Sequence, residues 1–323
     1  MSYLEYKARN KMVVSTKDIF KNCYGKYGIA AVNVWDMEMI LALFSAAEKA
    51  NSPFIVQTTP VARNYATPEM LISMISAAAK VYPKAVFAIH LDHGTLEHAL
   101  HCIESGDYSS VMIDASHETF QSNISITKKV VDKAHARNIA VEAELGILSG
   151  VEDDLEVDEK HKKYTQPEEV EEFVRQTNCD SLAVAVGTSH GVYKFSGEQG
   201  IQFDILEEIQ NRLPEFPLVL HGGSAVNKEE IRRINAAGGQ LGLDAKGVSN
   251  DELLKAIRYG VCKINIATDA RLIWTRVNRE FFKYTPAQFD PIIPGKSYTE
   301  AFEKFNLEKF ELLGSVGKAN KIK

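Results

Sequence analysis

Short apolar, β-branched runs alternate with segments of helical period from one end of this chain to the other. Eight runs stand out: GIAAVNV (28–34), PFIVQTT (53–59), AVFAIHLD (85–92), SSVMIDA (109–115), IAVEAELG (139–146), DSLAVAVG (180–187), FPLVLHG (216–222) and GVCKINIA (260–267). Continuous apolar runs, as opposed to alternating ones, mark strands buried on both faces of a parallel sheet. The intervening segments carry helix signals. Asp36 is placed to cap a helix after the first run, and Thr67 another after the second, with Pro68 at its first position. Helical patterns also cover 123–138, 166–177 and 227–238. Eight strand–helix units predict an α/β fold, a closed (β/α)8 TIM barrel, as a single domain over 1–323 with 286–323 as a C-terminal helical extension. A doubly wound open sheet is the competing architecture. It would place a glycine-rich dinucleotide turn after an early strand, whereas the first run ends in NVWD.

A barrel brings the carboxyl ends of all its strands to one face. Polar residues gather at those ends: Asn33, the pair Asp92–His93, Asp114 with Ser116 and His117, Glu142 and Glu144, His190, His221 followed by Gly222–Gly223–Ser224, and Asn265 leading into Ala267–Thr268–Asp269. Three histidines from three strands with an open fourth position form a catalytic zinc arrangement, and Asp114 and Glu144 can orient ligands or take a displaced second cation. The remaining histidines act as controls. His98, His101 and His135 fall on helices, His161 in a charged loop, His90 faces the interior, and His117 sits in a longer connection. HGGS (221–224) and NIATD (265–269), the latter opening a helix, are candidate anion cradles for a phosphorylated substrate. Longer connections at 115–121, 147–164 and 238–250 are where lids are expected.

Composition narrows the field. The 323 residues are 45 % hydrophobic with a formal net charge of −6, which argues against nucleic acid as a partner. No run is long enough to span a membrane, and the charged N-terminus lacks a secretory pattern. The four cysteines, Cys23, Cys102, Cys179 and Cys262, form no CxxC pair and read as reduced thiols of a cytoplasmic protein.

Taken in order, HLDHG, SVMIDASH, VEAELG, GTSHG, VLHGGS and CKIN-x-AT resemble the successive signatures of the class II, zinc-dependent ketose-bisphosphate aldolases, over roughly residues 13–280. The resemblance implies a lyase of carbohydrate metabolism, acting in glycolysis. It would cleave a ketose 1,6-bisphosphate reversibly to dihydroxyacetone phosphate and glyceraldehyde 3-phosphate through a zinc-stabilised enediolate. It further implies a homodimer or homotetramer. By position, His93, His190 and His221 would ligate Zn2+, with Asp114 and Glu144 matching a second divalent site and Gly187 a monovalent Na+ or K+ site. Asp92 would exchange the C4 hydroxyl proton and Glu152 the C3 proton. Thr58, Gly191, Lys194, Gly222, Gly223, Ser224, Asn265, Ile266, Ala267, Thr268 and Arg271 would hold substrate and its phosphates. Arg271 reaches the C6 phosphate from its own or a neighbouring subunit.

One departure bears on the substrate. The fructose-selective pattern after the eighth strand is N-x-D-[ST]-D, and Ala267 stands where it has the aspartate. Ala267 and QTTP (57–60) resemble tagatose 1,6-bisphosphate aldolases, whereas Arg271, Lys194–Phe195 and the 238–250 insert resemble fructose enzymes. Three other chemistries compete. A metal-dependent hydrolase would want an HxH pair in the first strand, which NVW lacks. A non-catalytic barrel predicts loss of ligands, and none is lost. Lys263 is the one Schiff-base candidate in the eighth strand, and that chemistry would leave the three histidines unexplained.

Overall fold

Each of the eight apolar runs forms a strand in the computed structural model, which describes residues 12–152, 155–157, 163–190, 200–243 and 247–322; the side chains of 149–152, 155–157 and 190 lie outside that description. The barrel strands are β1 (Ile29–Asn33), β2 (Phe54–Thr58), β3 (Phe87–Gly94), β4 (Ser110–Ile113), β5 (Ala140–Leu145), β8 (Ser181–Val184), β10 (Leu218–Leu220) and β11 (Val261–Ile266). They close in the order β1-β11-β10-β8-β5-β4-β3-β2, with parallel pairing throughout.

The helix starts follow their local chemistry. Asp36 accepts the N–H of Met39 to cap Met37–Ala50, and Thr67 accepts that of Met70 to cap Pro68–Val81. Thr59, Thr95, Thr119, Asn227 and Ser249 cap five further helices with their side chains. The helix Thr268–Tyr284 has no side-chain cap, nor do Pro167–Thr177, Phe203–Arg212 and Ile292–Leu312. For Thr268–Tyr284 the N-cap is Ala267, which offers no side-chain acceptor.

Outward-facing Val, Ile, Leu and Phe from the strands pack under the helices as one core, including the ring cluster Phe44, Phe54, Phe87 and Phe310. The predicted C-terminal extension is the helix Ile292–Leu312. It lies along Met37–Ala50, burying Phe302 and Phe310 and pairing Glu303 with Lys49 at 2.5 Å. All four cysteines are buried and unpaired with one another by disulfides, and burial pushes the Cys102 and Cys179 thiols up to about 12.

The described residues of the connection 147–164 carry more regular structure than its charge pattern suggested. They include β6 (Ser149–Glu152) and β7 (Leu155–Val157), an antiparallel pair. The first of these also pairs in parallel with β9 (Ser189–His190), opposing Gly150 to His190. Among the described residues, no helix is long and apolar enough to cross a membrane.

Candidate active site

Strand alternation divides the polar residues into two storeys inside the barrel. The lower storey holds His90, Glu142 and Lys263, all essentially inaccessible to solvent. The Lys263 ammonium donates to both Glu142 carboxylate oxygens, at 3.0 and 2.8 Å, and lies 3.2 Å from His90 Nε2. His90 Nδ1 meets the Ser110 hydroxyl at 2.8 Å. Burial, reinforced by the Lys263 charge, lowers the His90 pKa to about 3, so the ring is neutral. Burial alone would raise the Glu142 carboxyl. The Lys263 ammonium and the His221 ring N–H reverse this and hold it well below the usual carboxylate range. The ammonium is thus committed to an ion pair, which an amine nucleophile would have to leave.

Above lie Asp92, His93, Asp114, Glu144, His221, Asn33 and Asn265. β3 departs from regular pairing between Leu91 and Gly94, and His93 adopts a left-handed φ of 47°. Such a backbone persists only where its surroundings fix it, and here it turns the imidazole into the barrel mouth beside Asp92. His93 Nδ1 lies 3.1 Å from Asp114 Oδ2, and Asp114 Oδ1 accepts from the Ser116 N–H and hydroxyl. Burial would raise the Asp114 carboxyl, but these bonds outweigh it and hold the group below its ordinary range. His221 Nε2 lies 3.1 Å from Glu142 Oε1, and its Nδ1 4.0 Å from Glu144 Oε2. Burial, then the nearby His93 ring, lowers the His221 pKa.

These contacts fix the tautomers. An ionised Asp114 requires the His93 proton on Nδ1, and an ionised Glu142 requires the His221 proton on Nε2. The lone pairs of His93 Nε2 and His221 Nδ1 then face a shared centre, with the two atoms only 2.8 Å apart. Two nitrogens so close share a cation, either a proton in an N–H···N bond or a metal ion. Each ring also donates its outer N–H to a carboxylate, the usual support of a metal-ligating histidine. Donor atoms of Asp92, His93 and His221 lie within 4.8 Å of one another, as do those of His93, Asp114 and Glu144. The residues fit a divalent metal with nitrogen ligands.

Asp92 is fully buried and held at both oxygens. Oδ1 accepts from Asn265 Nδ2 at 2.9 Å and Oδ2 from Asn33 Nδ2 at 3.1 Å, and Asn33 Oδ1 accepts from Gln57 Nε2 at 2.5 Å. This amide chain locks the carboxylate orientation at the edge of the metal-ligand cluster.

The glycine turn after β10 is tightly constrained. Gly222 has φ +62°, and a Cβ there would stand 2.5 Å from the Ser189 carbonyl oxygen; one on Gly223 would stand 2.6 Å from Ile264. Ser224 Oγ accepts the Ala267 N–H at 3.4 Å, tying this turn to the start of Thr268–Tyr284. Arg271, one turn into that helix, places its guanidinium 5.6 Å from the Trp35 ring centroid.

Of the residues expected at the site, Asp92, His93, Asp114, Glu144, His221 and Asn265 meet at the barrel mouth, and Ser224 meets Ala267. Thr58 does not join them. Its hydroxyl bonds Tyr108 at 2.8 Å among the helices, because alternation along β2 turns its neighbour Gln57 inward and Thr58 outward. The Ile266 side chain likewise belongs to the outer core. Gly187 has φ +102° in the turn after β8. The His190 and Glu152 side chains, and Gly191 and Lys194 entirely, lie outside the described residues. The pairing roles of Glu142, Lys263, Asn33 and Gln57 were not anticipated. A signal existed for Glu142, which shares a strand face with Glu144 two residues on.

Comparison with known proteins agrees with this geometry. Residues 14–318 match the family model described as fructose-bisphosphate aldolase class-II. The chain is 40 % identical over 328 residues to the fructose-bisphosphate aldolase of Treponema pallidum (strain Nichols), covering 95 % of this chain and 98 % of that one. It is 41 % identical over 310 residues to that of Thermus caldophilus, covering 95 % and 100 %. The solved YdjI aldolase from Escherichia coli K12 superposes with a TM-score of 0.77 at 30 % identity, covering 95 % of this chain and 100 % of that one. The chain belongs to the class II fructose-bisphosphate aldolase family, the metal-dependent aldehyde-lyases.

Proposed function

We propose that this aldolase cleaves fructose 1,6-bisphosphate to dihydroxyacetone phosphate and glyceraldehyde 3-phosphate, with zinc held by His93, His190 and His221. The observation that carries this reading is Asp92, a buried carboxylate fixed by two amide donors within 4.8 Å of two convergent imidazole nitrogens. A zinc ion bound there supplies Lewis-acid polarisation of the substrate carbonyl at C2. Asp92 accepts the C4 hydroxyl proton as the C3–C4 bond breaks, and the electron pair passes to the C3 side. Glu152, on the strand paired with β9, returns a proton to C3 once its loop covers the mouth. Gly222, Gly223, Ser224 and the start of Thr268–Tyr284 hold the triose phosphate with Gly191 and Lys194, and Arg271 holds the far phosphate. Asp114 and Glu144 form an alternative position for a divalent cation, and the Gly187 carbonyl takes Na+ or K+. The enzyme works in the cytoplasm as a homodimer or homotetramer. Exposed apolar side chains of Trp274, Phe282, Phe289 and Ile292 support self-association.

A coupled cleavage assay tests the chemistry. Chelation should abolish turnover and zinc restore it, and Asp92→Ala should lower kcat by about 10²- to 10⁴-fold. Near-wild-type turnover of that variant would remove Asp92 from its role. A second reading, tagatose 1,6-bisphosphate, is favoured by Ala267 and by QTTP (57–60). Comparing kcat/KM for the two C4 epimers decides between them, with higher efficiency on the fructose epimer expected and the reverse order refuting it.

A further inference from the structure

We propose that Asp269, braced by Lys309 of the C-terminal helix, is a positioning residue that sets the shape of the phosphate-holding turn 221–226; this rests on the phosphate role given above to that turn. Asp269 is the second residue of Thr268–Tyr284 and is 4 % exposed. Its carboxylate accepts two backbone N–H groups, that of Ala225 at 3.0 Å and that of Val226 at 2.9 Å. Val226 has a left-handed φ of 52°. A β-branched residue adopts that conformation only where neighbours hold it, and the two bonds to Asp269 supply the hold.

The other side of the turn is gripped as well. The Ser224 carbonyl accepts the Val248 N–H at 3.2 Å. A Cβ on Gly247 would come within 2.3 Å of the Ser224 and Ala225 backbone, so the Gly247 backbone lies directly against the turn. Gly222–Ser224 run directly from His221, so whatever fixes Ala225 and Val226 also fixes where the preceding N–H groups lie.

A carboxylate in the first turn of this helix creates a conflict. Its charge sits beside the helix N-terminus and the glycine turn that are to receive a phosphate, and would repel it. Lys309 answers the conflict. Its ammonium is 3.9 Å from Asp269 Oδ2, the residue is 8 % exposed, and the ammonium also lies 5.4 Å from the Phe305 ring centroid. The lysine comes from the helix Ile292–Leu312, outside the eight strand–helix units. The extension therefore neutralises the carboxylate that shapes the cradle and makes the C-terminal helix part of triose phosphate binding. Neither residue touches substrate.

The test compares wild-type enzyme with Asp269→Asn and Lys309→Met in the condensation direction. The readouts are KM for dihydroxyacetone phosphate, KM for glyceraldehyde 3-phosphate, kcat, and the inhibition constant of inorganic phosphate against dihydroxyacetone phosphate. Asp269→Asn should raise the KM for dihydroxyacetone phosphate and the phosphate inhibition constant together by about tenfold, with kcat within about threefold. Lys309→Met, which keeps the length and apolar stem, should shift the same two constants in the same direction and carries the test if the first variant fails to fold. The KM for glyceraldehyde 3-phosphate should stay at the wild-type value in both. Unchanged phosphate inhibition in the variants, or an equal rise for both trioses, would overturn the assignment even if melting temperatures fell. Wild-type enzyme that turns over but is not inhibited by phosphate at the dihydroxyacetone phosphate end would instead overturn the cradle reading, and the inference with it.

Discussion

Replacing Lys263 with methionine removes the ammonium from the lower storey and leaves Glu142, 1 % exposed, without its countercharge. Breaking a buried pair by removing one partner costs about 3–5 kcal/mol. At about 2.1 cal/mol/K per residue, 323 residues have an unfolding entropy of about 0.7 kcal/mol/K, so the midpoint should fall by about 4–7 °C. The damage should also reach the metal. Without Lys263, burial dominates at Glu142 and raises its pKa, so it takes up a proton and ceases to be the anionic acceptor that fixes the His221 tautomer. Zinc affinity should then weaken by about 10- to 100-fold. Scanning calorimetry on the chelated protein measures the first effect, and competition against a fluorescent chelator the second. The double variant Glu142→Met/Lys263→Met separates them. With both charges gone the buried penalty disappears and most of the stability should return, while His221 still lacks its carboxylate and affinity stays low. A double variant no more stable than Lys263→Met, or a single variant with wild-type zinc affinity, would refute the reasoning.

Three further predictions follow from named contacts. Burial raises the Asp36 carboxyl to about 6, against an unfolded value near 4, so its ionisation opposes folding and its contribution becomes less favourable as pH rises through that window; Asp36→Asn keeps a capping oxygen, and its melting temperature relative to wild type should improve between pH 4.5 and 7.5 and level off above that. A constant difference would refute it. Thr58→Val should leave KM for the bisphosphate unchanged and cost about 1 kcal/mol in urea unfolding, because its hydroxyl serves Tyr108 alone; a raised KM would return Thr58 to the substrate. Gly222→Ala, with its Cβ 2.5 Å from the Ser189 oxygen, should raise KM for the bisphosphate at least about tenfold or prevent folding, and a folded variant with normal KM would show that the turn can move.

The barrel was legible because strands buried on both faces need apolar residues throughout, and all eight runs became strands with ends shifted by a few residues. The convergence of Asp92, His93, Asp114, Glu144 and His221 was legible because strand ends of a barrel must converge. The interior pairings were not. Lys263 and Glu142 are 121 positions apart, and nothing local in VCKIN or VEAEL says that they meet. The outward turn of the Thr58 side chain was not legible for a different reason. The residue's position in a motif outweighed the alternation of β2, which assigns Gln57, not Thr58, to the inside. The β6–β7 hairpin was hidden by charge, since a stretch such as VEDDLEV lacks the apolar period that marks a covered strand.

The start of Thr268–Tyr284 carries a thermodynamic consequence. It begins on Ala267, whose side chain satisfies no backbone donor, as is also the case at Gln166, Gln202 and Pro291 before three other helices. A serine or aspartate there would stabilise the fold by about 0.5–2 kcal/mol, and under the proposed function the alanine leaves the helix start open to a phosphate. Under that function the triose phosphate would act as the cap, and the folded state should then melt higher as its occupancy rises. A variant library screened for heat resistance would drift toward polar residues at 267, and turnover would be the property it lost.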